Sequence, residues 1–268
     1  MARTERSAAV VLRSVAYGEA DRIVTLLTEA FGKLAVMARG ARKSRRRFGA
    51  ALEPYALIEV EVGLGRGELG RLAQARVVRA FPGILADLSK MSVAAAGLEL
   101  VREATPERET PDPRLLPTVV RFFELVEASA DEAVRLAFTL RLLALLGLRP
   151  NLERCGRCGR VAPEGKAALF DPALGTLVCR ACGGGPVKLS GALRARMRQA
   201  GTRRWDAQAQ EAWPEEDRPT AGRALDAFLE RHLGRRLAGG AVLTQVREVE
   251  RATRPSGGDG SQEQEEEA

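Results

Sequence analysis

The sequence predicts an α+β chain of several domains, in which a small N-terminal barrel of five strands precedes an α-helical domain carrying a four-cysteine metal module. Three observations predict it. Short apolar runs separated by glycine turns fill the first eighty residues, the apolar period lengthens to that of helices from Phe81 onward, and all four cysteines fall in two C-x2-C pairs. With 268 residues and 45% hydrophobic content, the chain can bury real cores.

The strands follow in order. Ala8 to Leu12, Ile23 to Thr28 and Lys33 to Ala38 are apolar runs, and Tyr55 to Val62 alternates Ile58, Val60 and Val62 with Glu59 and Glu61. A fifth strand is expected over Leu69 to Val78. The turn Glu29-Ala-Phe-Gly-Lys33 suits a hairpin between the second and third, and Gly63 to Gly67 separates the last two. Five short strands with such turns fit the OB-fold barrel, an architecture of nucleic-acid binders. The helices are expected over Leu85 to Ala104, Leu115 to Glu127 and Asp131 to Gly147, the last stopped by Gly147 and Pro150, with two more over Ala192 to Gly201 and Pro219 to Leu237. The expected domains are the barrel over 1–80, the first helical part over 81–150, the cysteine module over 151–186, the second helical part over 187–250 and a disordered acidic tail over 251–268.

Charge is unevenly placed. Residues 1–80 hold fifteen Lys or Arg against eight Asp or Glu, whereas the last fourteen residues carry five acids and no base. Separated basic charge favours a polyanionic partner, although an Arg-rich surface also serves solubility alone. No apolar run approaches the roughly 18 residues of a membrane span, and the N-terminus lacks a signal-peptide core, so the expected location is the cytoplasm, away from membranes.

The pairs Cys155-Gly-Arg-Cys158 and Cys179-Arg-Ala-Cys182 have the spacing of a tetrathiolate zinc site. Gly156, Gly159 and Gly183 to Gly185 let the backbone curl around a metal. A dithiol redox site leaves the second pair unexplained, and disulfides are disfavoured in a reducing compartment. Four thiolates leave no open position for water, so one structural Zn²⁺ is expected at Cys155, Cys158, Cys179 and Cys182. Arg154, Arg157, Arg160 and Arg180 either offset the thiolate charge or touch phosphate.

Between the third and fourth strands, Arg39 to Arg47 packs six cationic residues into nine positions. Burying them unpaired would cost more than the stability of a domain, so the segment is a solvated loop or a ligand surface. Guanidinium groups bind phosphate bidentately, and counterion release drives affinity without sequence preference. Phe48 and Tyr55 are candidates for base stacking or for the core. Glu19, Asp21 and Arg22 read as a surface turn with an internal ion pair, and His232 as a surface or packing residue of a helix. A metal-dependent nuclease would need clustered carboxylates or histidines, which the sequence does not display, and no enzymatic activity is expected.

The segment from Val10 to Pro54 resembles the N-terminal domain of the RecO family. The resemblance rests on Tyr17-Gly-Glu-Ala-Asp-Arg22, Ile23-Val-Thr-Leu-Leu-Thr28, the Phe31-Gly-Lys33 turn and Ala38-Arg-Gly-Ala-Arg-Lys-Ser44 in that order, and it continues through the cysteine module and Leu229-Glu-Arg-His-Leu-Gly234. It implies a bacterial, nucleoid-associated repair protein that binds single- and double-stranded DNA and anneals complementary strands. It further implies work with RecR to load RecA, as an indirect partner, onto strands coated by single-stranded-DNA-binding protein (SSB), whose acidic C-terminal tail docks on the helical domain. On that basis Arg39, Arg42, Lys43, Arg45, Arg46 and Arg47 are the candidate DNA contacts, with Lys33 as a further one. A zinc-ribbon RNA-binding or transcription-associated protein is the rival reading.

Overall fold

The computed structural model describes residues 4–44, 46–64, 69–109, 112–201, 213–239 and 245–246. The expected acidic tail over 251–268 lies outside the described residues, as does Arg45. Strands β1 (Thr4–Tyr17), β2 (Asp21–Thr28), β3 (Gly32–Ala38), β4 (Ala56–Gly63) and β5 (Gly70–Ala80) form a closed barrel in the order β1-β2-β3-β5-β4, with β4 returning to β1. All pairings are antiparallel except β3 with β5. This is the OB-fold. Closure leaves no free sheet edge, and the alternation of β4 follows from it: Ile58, Val60 and Val62 point into the barrel while Glu59 and Glu61 pair with Arg76 and Arg6 outside. The β2–β3 hairpin turns where Gly32 takes φ of 66° and the buried Thr28 hydroxyl accepts the Phe31 N–H at 3.0 Å.

β1 runs further than its apolar run in both directions, because Thr4 to Val10 pair with β4 and Ala9 to Tyr17 with β2. Its pairing shifts between Val11 and Arg13, so Leu12 is a bulge. Between β3 and β4 the chain winds through turns whose Phe48, Ala51 and Leu52 enter the barrel core.

Among the described residues, five longer α-helices and one short one follow: α1 (Pro82–Leu85), α2 (Leu88–Ala104), α3 (Leu115–Ala128), α4 (Glu132–Leu145), α5 (Gly191–Ala200) and α6 (Arg218–Leu233). The single helix expected from Leu85 is broken, because Asp87 leaves helical geometry and caps α2 by accepting the Lys90 N–H at 2.9 Å. Asp131 and Ser190 cap α4 and α5 in the same way. The last helix stops at Leu233 rather than Leu237, since Gly234 turns left-handed at φ of 67°. The core of α2, α3 and α4 is aromatic, with Phe122 stacked on Phe138 at 4.1 Å and Gly97 of α2 facing the Phe122 ring.

Between α4 and α5, β6 (Asn151–Cys155), β7 (Ala168–Asp171), β8 (Thr176–Leu177) and β9 (Val187–Leu189) make a small sheet in the order β6-β8-β7-β9. The module therefore reaches Leu189, past the expected boundary at 186. Phe170, Leu177 and Leu189 are buried in the same cluster as Leu193, Met197 and Phe228, and that cluster also takes in Val10, Leu12, Leu27 and Tyr55 from the barrel wall. One apolar core thus joins all three parts.

Candidate nucleic-acid interface and metal centre

The basic segment begins where β3 ends, and two contacts seat it against the β1–β2 turn. The Asp21 carboxylate accepts the Gly40 N–H at 2.7 Å, and the Arg42 N–H donates to the Ala20 carbonyl at 3.0 Å. The Arg42 guanidinium reaches the Glu19 carbonyl at 3.3 Å. At the far end, Arg47 folds back: it donates to Ser44 Oγ at 3.1 Å and to the Arg39 carbonyl at 2.8 Å, and lies 5.0 Å from the Phe48 ring centroid. Its own carbonyl accepts from Ala75 of β5 at 2.9 Å. The result is a braced loop on the barrel rim, with Arg39, Arg42, Lys43, Arg46 and Arg47 all exposed.

Of these, Arg39, Lys43 and Arg46 make no side-chain hydrogen bond or ion pair among the described residues. Exposed cations without carboxylate partners repel one another, and a phosphate chain relieves that repulsion. Arg47 differs, since its guanidinium braces the loop. Arg13 on β1 and Arg71 on β5 are also exposed and without partners among the described residues, and sequence reasoning missed them. Each is a single charge inside a strand, Arg13 beside Thr25 of β2 and Arg71 beside Met37 of β3, and only the strand pairing shows what it stands next to.

Two expectations change here, and one open alternative is decided. Lys33 is buried at the seam between barrel and helices, where its ammonium donates to the Arg102 carbonyl at 2.6 Å and burial lowers its pKa from the ordinary lysine value. It ties β3 to the end of α2 and is not offered to a ligand. Phe48, 2% exposed, plugs the barrel, and Tyr55, 7% exposed, packs edge-on to Phe123 and donates to the Met91 carbonyl at 3.3 Å, so neither supplies base stacking. The ion pair of the β1–β2 turn is not internal: Arg22 pairs with Glu53 at 2.8 Å. His232 is exposed and stacks on Phe228 at 3.9 Å, so it is both a surface and a packing residue.

The four cysteines converge. Cys155 ends β6, Cys158 follows in its turn, and after β8 Cys179 caps, and Cys182 ends, a single 3₁₀ turn. Their sulfurs lie within 4.8 Å of one another, and Cys158 and Cys179 are 3.8 Å apart. A tetrahedron with Zn–S bonds of about 2.3 Å has edges of about 3.8 Å, so the donor set fits a four-coordinate soft metal. Backbone N–H groups of Cys179 and Cys158 hold the Cys155 thiol down to about 6, while the sulfurs of Cys179 and Cys158 push Cys182 up to about 12. Four sulfurs so close can all be thiolates only around a cation, whose binding would displace the thiol protons.

The turns around the sulfurs are made by glycine for two reasons. Gly159 and Gly183 take φ of 71° and 102°. Gly156 is required by closeness instead, because a Cβ there would lie 2.3 Å from Thr176 Cγ2. Of the arginines near the cluster, Arg157 donates to the Cys182 carbonyl at 3.1 Å, and Arg154, Arg160 and Arg180 are exposed.

Comparison with known proteins agrees with this architecture. The family model "Recombination protein O N terminal" matches residues 1–81 and "Recombination protein O C terminal" matches residues 85–239. DNA repair protein RecO of Pelobacter propionicus is 40% identical over 246 residues, covering 90% of this chain and 97% of that protein. The Myxococcus xanthus protein of the same name is 40% identical, with 89% and 96% covered, and that of Geobacter sulfurreducens 38%, with 90% and 98% covered. With both halves matched in order and the barrel, helices and cysteine module in place, the chain belongs to the RecO family of DNA repair proteins.

Proposed function

We propose that this chain is a non-catalytic recombination mediator: it binds single- and double-stranded DNA, anneals complementary strands, and with RecR helps RecA load onto SSB-coated single strands. The observation that carries the reading is the braced rim loop, whose exposed Arg39, Lys43 and Arg46 have no carboxylate partner among the described residues. Two single strands repel through their phosphates. A protein that binds both on cationic surface lowers that repulsion, and base pairing then supplies the driving energy. No bond chemistry is required of the carboxylates near the loop: Asp21 is engaged with the Gly40 N–H and Glu53 with Arg22, which leaves Glu19 as the exposed one.

In this reading the four-cysteine site holds Zn²⁺ and its role is structural: it fixes the turns that carry Arg154, Arg157, Arg160 and Arg180, a second basic surface. The acidic SSB tail is a complementary partner for so basic a chain, and a cytoplasmic, nucleoid-associated location follows from the function.

The test is annealing of complementary strands precoated with the cognate SSB, with and without RecR, across a salt series. Wild type should anneal, and Arg42→Ala/Lys43→Ala/Arg46→Ala should lose most of that activity. Three lost phosphate contacts should flatten the log–log salt dependence of single-strand binding by about 2. A wild-type protein that binds DNA without ever annealing it would overturn the mediator reading, and a preference for RNA over single-stranded DNA would favour the RNA-binding alternative.

A further inference from the structure

The outer wall of the barrel is half covered. Val10 and Leu12 of β1, Leu27 of β2 and Lys33 of β3 lie under the helical domain. Beyond the bulge at Leu12 the same wall is open, and the bulge decides what stands on it. Before it, Ala9 and Val11 belong to the barrel core; had the alternation continued unbroken, Val15 and Tyr17 would share that inward side. The extra residue reverses the parity. Ser14 now faces Val24 of the barrel core, and Arg13, Val15 and Tyr17 point out, opposite Thr25, Ile23 and Asp21.

Val15 is 42% exposed and Tyr17 56%. The row continues sideways, since Ile23 pairs with Met37 on β3 and Met37 with Arg71 on β5. An apolar strip crowned by an exposed aromatic ring therefore lies between two exposed cations, Arg13 and Arg71, neither with a partner among the described residues. The rim loop flanks it as well, because Arg42 is hydrogen-bonded to the backbone of the turn that follows Tyr17. Of the acids at this end, Asp21 is engaged by the Gly40 N–H, which leaves Glu19 as the exposed carboxylate of the turn.

We propose that this strip is a base-stacking platform for single-stranded DNA, with Tyr17 as its principal stacking residue and Arg13 and Arg71 holding the phosphates on either side. The proposal rests on the reading of the chain as a DNA binder. Charge complementarity selects the occupant: a strand without a complement offers flat apolar faces and phosphates together, whereas a duplex hides its bases. The platform and the loop then divide the work. The loop holds any phosphate backbone, and the strip distinguishes unpaired from paired bases.

Binding of labelled oligo-dT and of a duplex of equal length, followed by fluorescence anisotropy across a salt series, tests it. Tyr17→Ala should weaken oligo-dT binding roughly five- to a hundredfold, leave duplex binding within about twofold, and leave the salt slope unchanged, since no charge is removed. Tyr17→Phe, which keeps the ring, should bind as wild type does. Melting temperature checks that the variants fold, and Val15→Ser, which removes apolar surface from the same row, gives an independent reading in the same direction. Equal weakening for both DNAs, or none for either, overturns the platform. So does a change in oligomeric state with DNA binding intact, which would make the strip a contact between copies of the chain. If wild type binds no oligo-dT at all, the DNA-binding reading itself fails; if wild type binds and Tyr17→Ala matches it, only the platform does.

Discussion

Substituting Gly156→Ala isolates the geometry of the metal centre from its ligands. The new methyl group would lie 2.3 Å from Thr176 Cγ2 and 3.2 Å from its Cβ, well inside contact distance. Thr176 is buried, and its hydroxyl donates to the Arg154 carbonyl at 3.2 Å, one residue before Cys155. The clash can be relieved by turning Thr176 away, which breaks that bond and leaves a buried group unsatisfied at about 1–3 kcal/mol, or by displacing the Cys155 turn, for which overpacking costs a similar about 1–3 kcal/mol. Either way the four-sulfur geometry is disfavoured, and competition with a chromophoric chelator should show metal affinity reduced roughly five- to a hundredfold. Thr176→Ser removes Cγ2 while keeping the hydroxyl, so the double variant Gly156→Ala/Thr176→Ser should recover most of the loss, a coupling that a double-mutant cycle reads directly. If Gly156→Ala binds metal as wild type does, or if Thr176→Ser restores nothing, the close approach is not what requires glycine.

Further outcomes follow from the same structure. Metal analysis of the purified protein should give one Zn²⁺ per chain, and its removal by a strong chelator should lower the melting temperature while the barrel keeps its β signal in circular dichroism. Gly97→Ala should lower the melting temperature despite the better helix former, because its Cβ would lie 2.1 Å from Phe122 Cε1 and that ring is pinned against Phe138; a net loss of about 1–2 kcal/mol corresponds to roughly 2–8 °C. An unchanged or raised melting temperature would show that the aromatic stack yields. Burial lowers the pKa of Lys33 below the 10.5 of an ordinary lysine, so in the alkaline window the unfolded chain binds more protons than the folded one. The contribution of Lys33 to stability therefore rises with pH from its folded value toward 10.5. Burial raises Tyr55 instead, whose contribution falls at the alkaline end. The difference between wild type and Lys33→Met in urea unfolding should isolate the lysine, and a difference independent of pH up to about 10 would refute its assignment.

The elements were legible where local pattern decides them. The alternation of Glu59 and Glu61 with Ile58, Val60 and Val62 declares β4 and its two faces, and the paired C-x2-C spacing brings four sulfurs together because both halves are tight turns on one small sheet. What escaped depends on contacts distant in sequence. Lys33 stands in an amphipathic strand near a basic loop and reads as surface, but α2 covers it, and its partner is a carbonyl 69 residues away. Phe48 and Tyr55 flank the basic segment in sequence and are withdrawn from it by packing against opposite sides of the barrel wall. The open strip on β1 was hidden by one bulge, since alternation counted from Ala9 assigns Val15 and Tyr17 to the wrong face.

The continuous apolar core has a mechanical consequence. Because Phe170, Leu177 and Leu189 of the cysteine module share that core with α5 and α6, and the barrel's Val10 and Leu12 share it with α2, neither cationic surface hangs on a tether. The spacing of the two surfaces is thus set by packing. If both took phosphate, a nucleic acid spanning them would have to match that spacing, which a pliant single strand does at less cost than a stiff duplex. A linker long enough to free the module would then remove the difference while leaving every charge in place.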